Sequence, residues 1–417
     1  MNIGPTTEKQ RFIILDALRG LALLGIVLAN LPEFALWTFL SPDEQAAMPT
    51  ADIDETVRFW QFMLVDGKFY TIFSLLFGIG FAIIIGRHGK LLLLRRMLIL
   101  AVIGLLHLLF LWSGDILLLY ATGGLLLIMI VPRQQPTPAP SSREEGGWNS
   151  ADRGLMVFAV LLIVLPVGLD ALTEFCGADF AGPFYEAWWC SAEEHGISEA
   201  NFATWLRDAD SYGAVFDFLV QGAHERMWEF VSSHRLLKVL GLFIMGYLIG
   251  RHRLYAKLPQ LPMKPLFLAS LAVGLPTSGL FAWSATNGHP WGLTVHSLLY
   301  TLSVTTLALA YVSGLCLLYL RRPQARPFVW LAAPGRMALS CYIGQTLAGI
   351  ILFYGIGFGL GTSFGLVWTE LTAVAIFLVQ IACCSLWLHY YRFGPIEWLW
   401  RMLTYGRHFT LRKKKEE

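Results

Sequence analysis

Charge is scarce in this chain. Of 417 residues only 14% are Asp, Glu, Lys or Arg, against 56% hydrophobic ones. With a mean hydropathy of +0.57, that balance excludes an ordinary soluble domain, because one core could not hide so many apolar side chains. A net charge of +2, spread over separate loops, excludes a dedicated nucleic-acid binder, which would carry a basic face. The sequence also lacks a Walker A pattern, His-Glu-x-x-His, Gly-x-Ser-x-Gly and any Cys or His spacing that would hold zinc. No metal site and no permanently bound cofactor is expected. Two similar halves with paired interrupted helices, a pointer to secondary transporters, are missing too. The first apolar run, Phe12 to Leu31, reaches spanning length without an Ala-x-Ala site, so a retained first helix is expected rather than a signal peptide. Cys316, Cys341, Cys383 and Cys384 lie in apolar runs as small hydrophobes. Cys176 and Cys190 flank a polar segment where an oxidising compartment would allow a disulfide, and the spacing leaves that bond open.

What is present in quantity is apolar runs long enough to cross a bilayer, about 20 residues each. The expected fold is all-α, a polytopic membrane bundle of about ten helices. They lie near 12–31, 67–86, 94–113, 115–132, 155–174, 235–250, 265–284, 293–320, 337–358 and 367–389. Lys and Arg collect in alternate short loops, at Arg87, Lys90, Arg95 and Arg96, at Arg251, Arg253, Lys257 and Lys264, and at Arg321, Arg322, Arg326 and Arg336. Acids collect in the others, so the positive-inside rule predicts both termini in the cytoplasm. The organisation expected is an N-terminal four-helix half (1–132), a Pro- and Ser-rich cytoplasmic linker (133–154), and a C-terminal half (155–389). An aromatic outer cap is expected at 175–234, with helices near 199–210 and 213–232. Residues 390–417 read as an amphipathic helix on the cytoplasmic leaflet and a basic tail, with the lipid bilayer as partner.

An ionisable group inside a span costs about 2.5–3.5 kcal/mol, so each needs a partner, a cavity or a function. Asp16 and Arg19 stand three apart, the spacing of an intrahelical ion pair or of a ligand-binding arginine. Asn30 serves a neighbouring helix or a substrate. Asp66 and Lys68 open the second span, where Lys68 either snorkels to headgroups or faces a charged substrate. Gly78 and Gly80 read as close-packing points. The third and fourth spans carry His107, Trp112, Asp115 and Tyr120 around a short turn. His107 is a general base, a relay or a hydrogen-bonded core histidine, and Asp115 is its orienting partner or a helix cap. Arg235 runs against the positive-inside bias, which calls for an acidic partner or an anionic ligand. Tyr342 and Gln345 form a polar stripe in the ninth span.

The run Leu15-Asp-Ala-Leu-Arg-Gly-Leu-Ala-Leu-Leu-Gly-Ile with Asn30, the run from Asp66 through Gly78-Ile-Gly80-Phe, the His107 to Tyr120 hairpin and Gly335-Arg-Met-Ala-Leu-Ser-Cys-Tyr together resemble the YeiB family of bacterial inner-membrane proteins (domain of unknown function 418). The resemblance covers nearly the whole chain and implies a multi-pass inner-membrane location. More distantly the chain is similar to transmembrane acyltransferases such as heparan-alpha-glucosaminide N-acetyltransferase, which move an acyl group from cytoplasmic acyl-CoA to an acceptor on the far side. That branch keeps its catalytic histidine in the first outer loop, and residues 32–66 here hold none. The resemblance thus implies an acyltransferase-like enzyme with acyl-CoA as donor and a cell-envelope glycan or lipid-linked acceptor. His107 and Asp115 would be catalytic in it, and Arg19, Asn30, Asp66, Lys68, Tyr120, Arg235, Tyr342 and Gln345 would bind substrate. A transporter or permease for a small metabolite and a non-catalytic interaction protein are the alternatives. A homodimer is left open.

Overall fold

The computed structural model describes residues 12–131 and 148–413. The expected linker at 133–154 falls mostly outside these residues, as does the end of the basic tail. The chain winds through α1 (Ile13–Phe34), α2 (Pro42–Ala46), α3 (Ala51–Leu64), α4 (Lys68–Phe110) and α5 (Leu117–Ile130). It continues through α6 (Ser150–Cys176), α7 (Gly182–Glu194), α8 (Phe202–Asp208), α9 (Tyr212–Ser232), α10 (Arg235–Arg251) and α11 (Met263–Thr286). The last elements are α12 (Gly292–Arg321), α13 (Arg326–Arg336), α14 (Ala338–Phe353), α15 (Leu366–Tyr390) and α16 (Pro395–Tyr405). No strand forms among the described residues. Six helices are long and apolar enough to cross a membrane, or up to eight when each of two bent pairs counts as one span. The chain is an all-α membrane protein.

α4 supplies both the second and the third expected spans, because it doubles back at Gly89, whose φ of 75° leaves the helical region. A Cβ placed on Gly124 of α5 would meet both Phe81 and Met97. In a straight helix those two residues would stand about 24 Å apart, so α4 folds back on itself and both limbs meet α5. The bent pairs are α9 with α10, turned by 66°, and α13 with α14, turned by 79°. The expected ninth span at 337–358 is α14, and the expected loop before it holds a separate helix, α13, whose C-cap is Met337. α13 lies against α1 with no room between them: a Cβ on Gly335 would sit 1.9 Å from the Asp16 carbonyl oxygen, and one on Gly20 1.8 Å from that of Leu331. Gly78 is a close-packing point as expected, its Cβ position 2.3 Å from the Phe243 carbonyl oxygen, whereas Gly80 faces open space towards Arg19.

Surfaces follow the solvent each meets. α6 exposes Val157, Val160, Leu161 and Val164, an arrangement stable only where lipid replaces water. The cap carries one more helix than expected, α7, whose Trp188 stacks between Trp189 and Trp228 and donates its indole N–H to Gln221 at 2.6 Å. Cys176 and Cys190 are both exposed free thiols. α16 forms as an amphipathic helix but does more than rest on a lipid surface. Its Glu397 accepts hydrogen bonds from the backbone N–H groups of Leu339 and Ser340 and from the Ser340 hydroxyl, which ties α16 to the start of α14.

Candidate functional site

His107 ends the second limb of α4 and is 1% exposed. Its Nδ1 lies 3.0 Å from Asp115 Oδ1, at ion-pair distance but out of line for a straight hydrogen bond. Its Nε2 lies 3.0 Å from Thr346 Oγ1 on α14. The Thr346 hydroxyl also donates to the Tyr342 carbonyl at 3.4 Å, so it accepts from Nε2 when that nitrogen carries the proton and must turn from Tyr342 to donate when Nδ1 does. The other oxygen of Asp115 accepts the Leu118 N–H at 2.7 Å. Asp115 therefore caps α5 and orients the imidazole at once. Tyr342 lies against the His107 ring at 5.2 Å between centroids, and its hydroxyl accepts the Ile116 N–H at 3.4 Å.

A vestibule of about 330 Å³ runs from the basic-loop end of the bundle to Tyr342. Along α1 its lining extends from Phe12 to Ile26, about 21 Å at 1.5 Å per residue. The mouth holds Arg19, Arg87, Arg96, Arg336 and Arg401 against Asp16 and Glu397, a formal excess of three positive charges. Deeper, Leu23, Phe77, Phe81, Met97 and Leu100 make an apolar floor that ends at Ile116, Tyr120 and Tyr342. Arg96 lies flat on Trp400 of α16, 3.5 Å from the ring centre, while the Trp400 indole donates to the Arg96 carbonyl at 3.1 Å. Beyond the vestibule a packing gap too tight for a water molecule is lined by Asn30, Trp112, Gln345 and Thr346, and Tyr342 lines both spaces. A basic mouth, an apolar floor and an oriented imidazole behind its end wall can hold an anion with a long arm and take a proton near the arm's tip.

Of the residues singled out from sequence, His107, Asp115 and Tyr342 form one cluster, with Asn30 and Gln345 on the side of the packing gap. Gln345 also donates to Gln380 at 2.9 Å. Arg19 and Tyr120 join the cluster through the vestibule. Arg19 pairs with Asp16 at 2.7 Å, and the Tyr120 hydroxyl donates to the Tyr70 carbonyl at 3.2 Å and lies at hydrogen-bond distance, 2.7 Å, from the Ser74 hydroxyl. Lys68 and Asp66 stand elsewhere. Lys68 is fully buried, donates to the Phe62 carbonyl at 2.5 Å and faces the Phe281 ring at 5.1 Å, so it does not snorkel to headgroups. Arg235 has the acidic partner its position called for, Glu229. That pair continues through Arg226, which bonds Glu229, lies 3.6 Å from Glu33 and donates to the Ser113 carbonyl at 2.7 Å. Sequence reading did not single out Thr346, Trp400 or Arg226. Among the described residues no group of His, Cys, Asp or Glu is placed to hold a metal ion.

Comparison with known proteins gives a consistent set of relatives. The family described as "Protein of unknown function (DUF418)" matches residues 250–407. The uncharacterized protein YeiB of Escherichia coli K12 is 31% identical over 95% of this chain and 96% of its own length. An uncharacterized 39.9 kDa protein from the amylase 3′ region of Bacillus acidopullulyticus is 29% identical over 99% of both chains. The uncharacterized protein YxaH of Bacillus subtilis is 26% identical over 99% of both. No solved structure matches the chain.

Proposed function

The chain belongs to the DUF418 family, and from that premise we propose that it is a multi-pass enzyme of the bacterial inner membrane that transfers an acyl group from cytoplasmic acyl-CoA to a cell-envelope acceptor. The observation that carries this reading is the vestibule whose basic mouth and apolar floor end beside the Asp115–His107–Thr346 chain. Ten spans with both termini inside, the arrangement the loop charges favour, put the mouth in the cytoplasm, where acyl-CoA is found. The arginines of the mouth hold the phosphates, the arm lies along the floor, and the thioester arrives at Tyr342. The acceptor, a glycan or lipid-linked hydroxyl or amine, approaches Tyr342 from the side of Asn30 and Gln345, where the packed side chains must part to admit it. Its proton passes to His107 Nε2, directly or through the Thr346 hydroxyl. Its oxygen or nitrogen bonds to the carbonyl carbon, the C–S bond breaks, and the departing thiolate takes the proton back from His107. Asp115 stabilises the imidazolium formed in between.

The test is release of free thiol from acetyl-CoA by the protein in proteoliposomes supplied with envelope extract. His107→Ala is expected to lower the rate by about 10²–10⁴-fold. Equal rates for wild type and His107→Ala, or no release from either, count against the reading. A transporter is the second reading, favoured by the two bent helix pairs, since interrupted helices commonly frame substrate sites in transporters. Uptake into vesicles without thiol release would favour it.

A further inference from the structure

A second cavity, of about 590 Å³, lies between α1, α4, α11 and α12 and shares no lining residue with the vestibule. Leu21, Phe69, Phe267 and Ala310 wall it, and its polar groups are the Tyr311 hydroxyl and, at one end, Lys264 and Arg321. The Tyr311 hydroxyl is already spent on the Leu64 carbonyl at 2.9 Å. Leu268 and Leu318, 53% and 57% exposed, put the open side of the groove on the surface that meets lipid. Lys264 and Arg321 are exposed and enter none of the ion pairs among the described residues. Along α12 the lining runs from Ala310 to Arg321, about 16 Å. That is about half of a 30 Å hydrocarbon core, the depth of one leaflet.

We infer that this groove is a binding site for one anionic phospholipid of the cytoplasmic leaflet, with its phosphate between Lys264 and Arg321 and an acyl chain laid along Phe267 towards Phe69. Charge complementarity selects the occupant. An apolar groove alone would take any lipid chain, but two cations without carboxylate partners among the described residues attract a headgroup of net negative charge and gain little from a zwitterionic one. They stand at the start of α11 and the end of α12, next to loops that the positive-inside rule keeps in the cytoplasm, the side on which anionic headgroups meet juxtamembrane lysine and arginine. The inference stands apart from the proposed acyl transfer, which uses other residues.

The experiment is native mass spectrometry of the protein released from nanodiscs of mixed phosphatidylglycerol and phosphatidylcholine, each variant first checked for thermal unfolding. Wild type should retain one phosphatidylglycerol at collision energies that strip phosphatidylcholine. Lys264→Ala with Arg321→Ala should bind it about thirty-fold more weakly, the loss of two basic groups. Leu268→Trp, which fills the groove and leaves both cations, should abolish retention. Arg322→Ala with Arg326→Ala, equal in charge lost but outside the groove, should retain the lipid like wild type. Equal retention of the two lipids, equal losses in the two double variants, or a lipid-free dimer in which a second copy covers the groove would overturn the assignment.

Discussion

Arginine is used in opposite ways at the two ends of this bundle. At the cap end Arg226 and Arg235 face Glu33 and Glu229, with Glu225 beside Arg226, so acidic groups match or outnumber the guanidiniums. At the vestibule end five arginines meet two carboxylates, and one of those, Glu397, is already committed to the backbone of α14. A balanced network holds helices together because removing one member strands another in low dielectric. An excess of one sign along a cavity lining gives the cavity a positive potential that draws an anionic ligand. Charges of the first kind belong to the architecture and charges of the second kind to ligand binding.

The largest effect expected is on stability at the cap end. Arg226→Ala should destabilise the protein by about 3–5 kcal/mol, because Glu33 and Glu229 lose their shared partner. Arg96→Ala should cost only about 1 kcal/mol, mainly the contact with Trp400. Unfolding in nanodiscs measures both, and equal losses would dissolve the comparison. Next comes binding. Arg96→Ala should weaken acyl-CoA by about tenfold, the loss of one charge-assisted hydrogen bond of roughly 1.5 kcal/mol, while the folded fraction of Arg226→Ala binds it like wild type. A smaller change is expected with salt. Raising ionic strength from about 0.1 to 1 M shortens the screening length from roughly 10 to 3 Å, so acyl-CoA affinity should fall several-fold while the unfolding midpoint of the buried cap-end network hardly moves. The smallest is Tyr342→Phe, which deletes the acceptor for the Ile116 N–H and should cost about 0.5–1 kcal/mol with acyl-CoA binding intact; a tenfold loss of binding would make the hydroxyl part of the donor site.

The fold was legible wherever a charged break separates two apolar runs. The second and third spans stand out because Arg87, His88 and Lys90 interrupt them at Gly89, and the structure folds α4 back there. The start of the ninth span, expected at 337, falls one residue before α14. What was not legible is α13, because Arg326, Pro327, Pro334 and Arg336 read as a positive loop, and only the close approach to α1 shows a helix packed there. Half of the candidate site was visible for a similar reason. His107 and Asp115 share one hairpin, so short-range spacing joins them. Thr346 lies 239 positions from His107, and a threonine in an apolar helix ordinarily bonds its own backbone. Arg96 looked like one more positive loop residue until Trp400 was found against it. Lys68 misled because a lysine at a helix end usually reaches headgroups, but the carbonyl of Phe62 and the ring of Phe281 close over it here.

The central claim, that the vestibule is a site for a CoA thioester ending at His107, is tested most directly by calorimetric titration of acetyl-CoA into the protein in nanodiscs. The account predicts saturable binding that Arg96→Ala weakens and His107→Ala leaves in place. No binding up to millimolar acetyl-CoA, or binding that Arg96→Ala does not change, would contradict it.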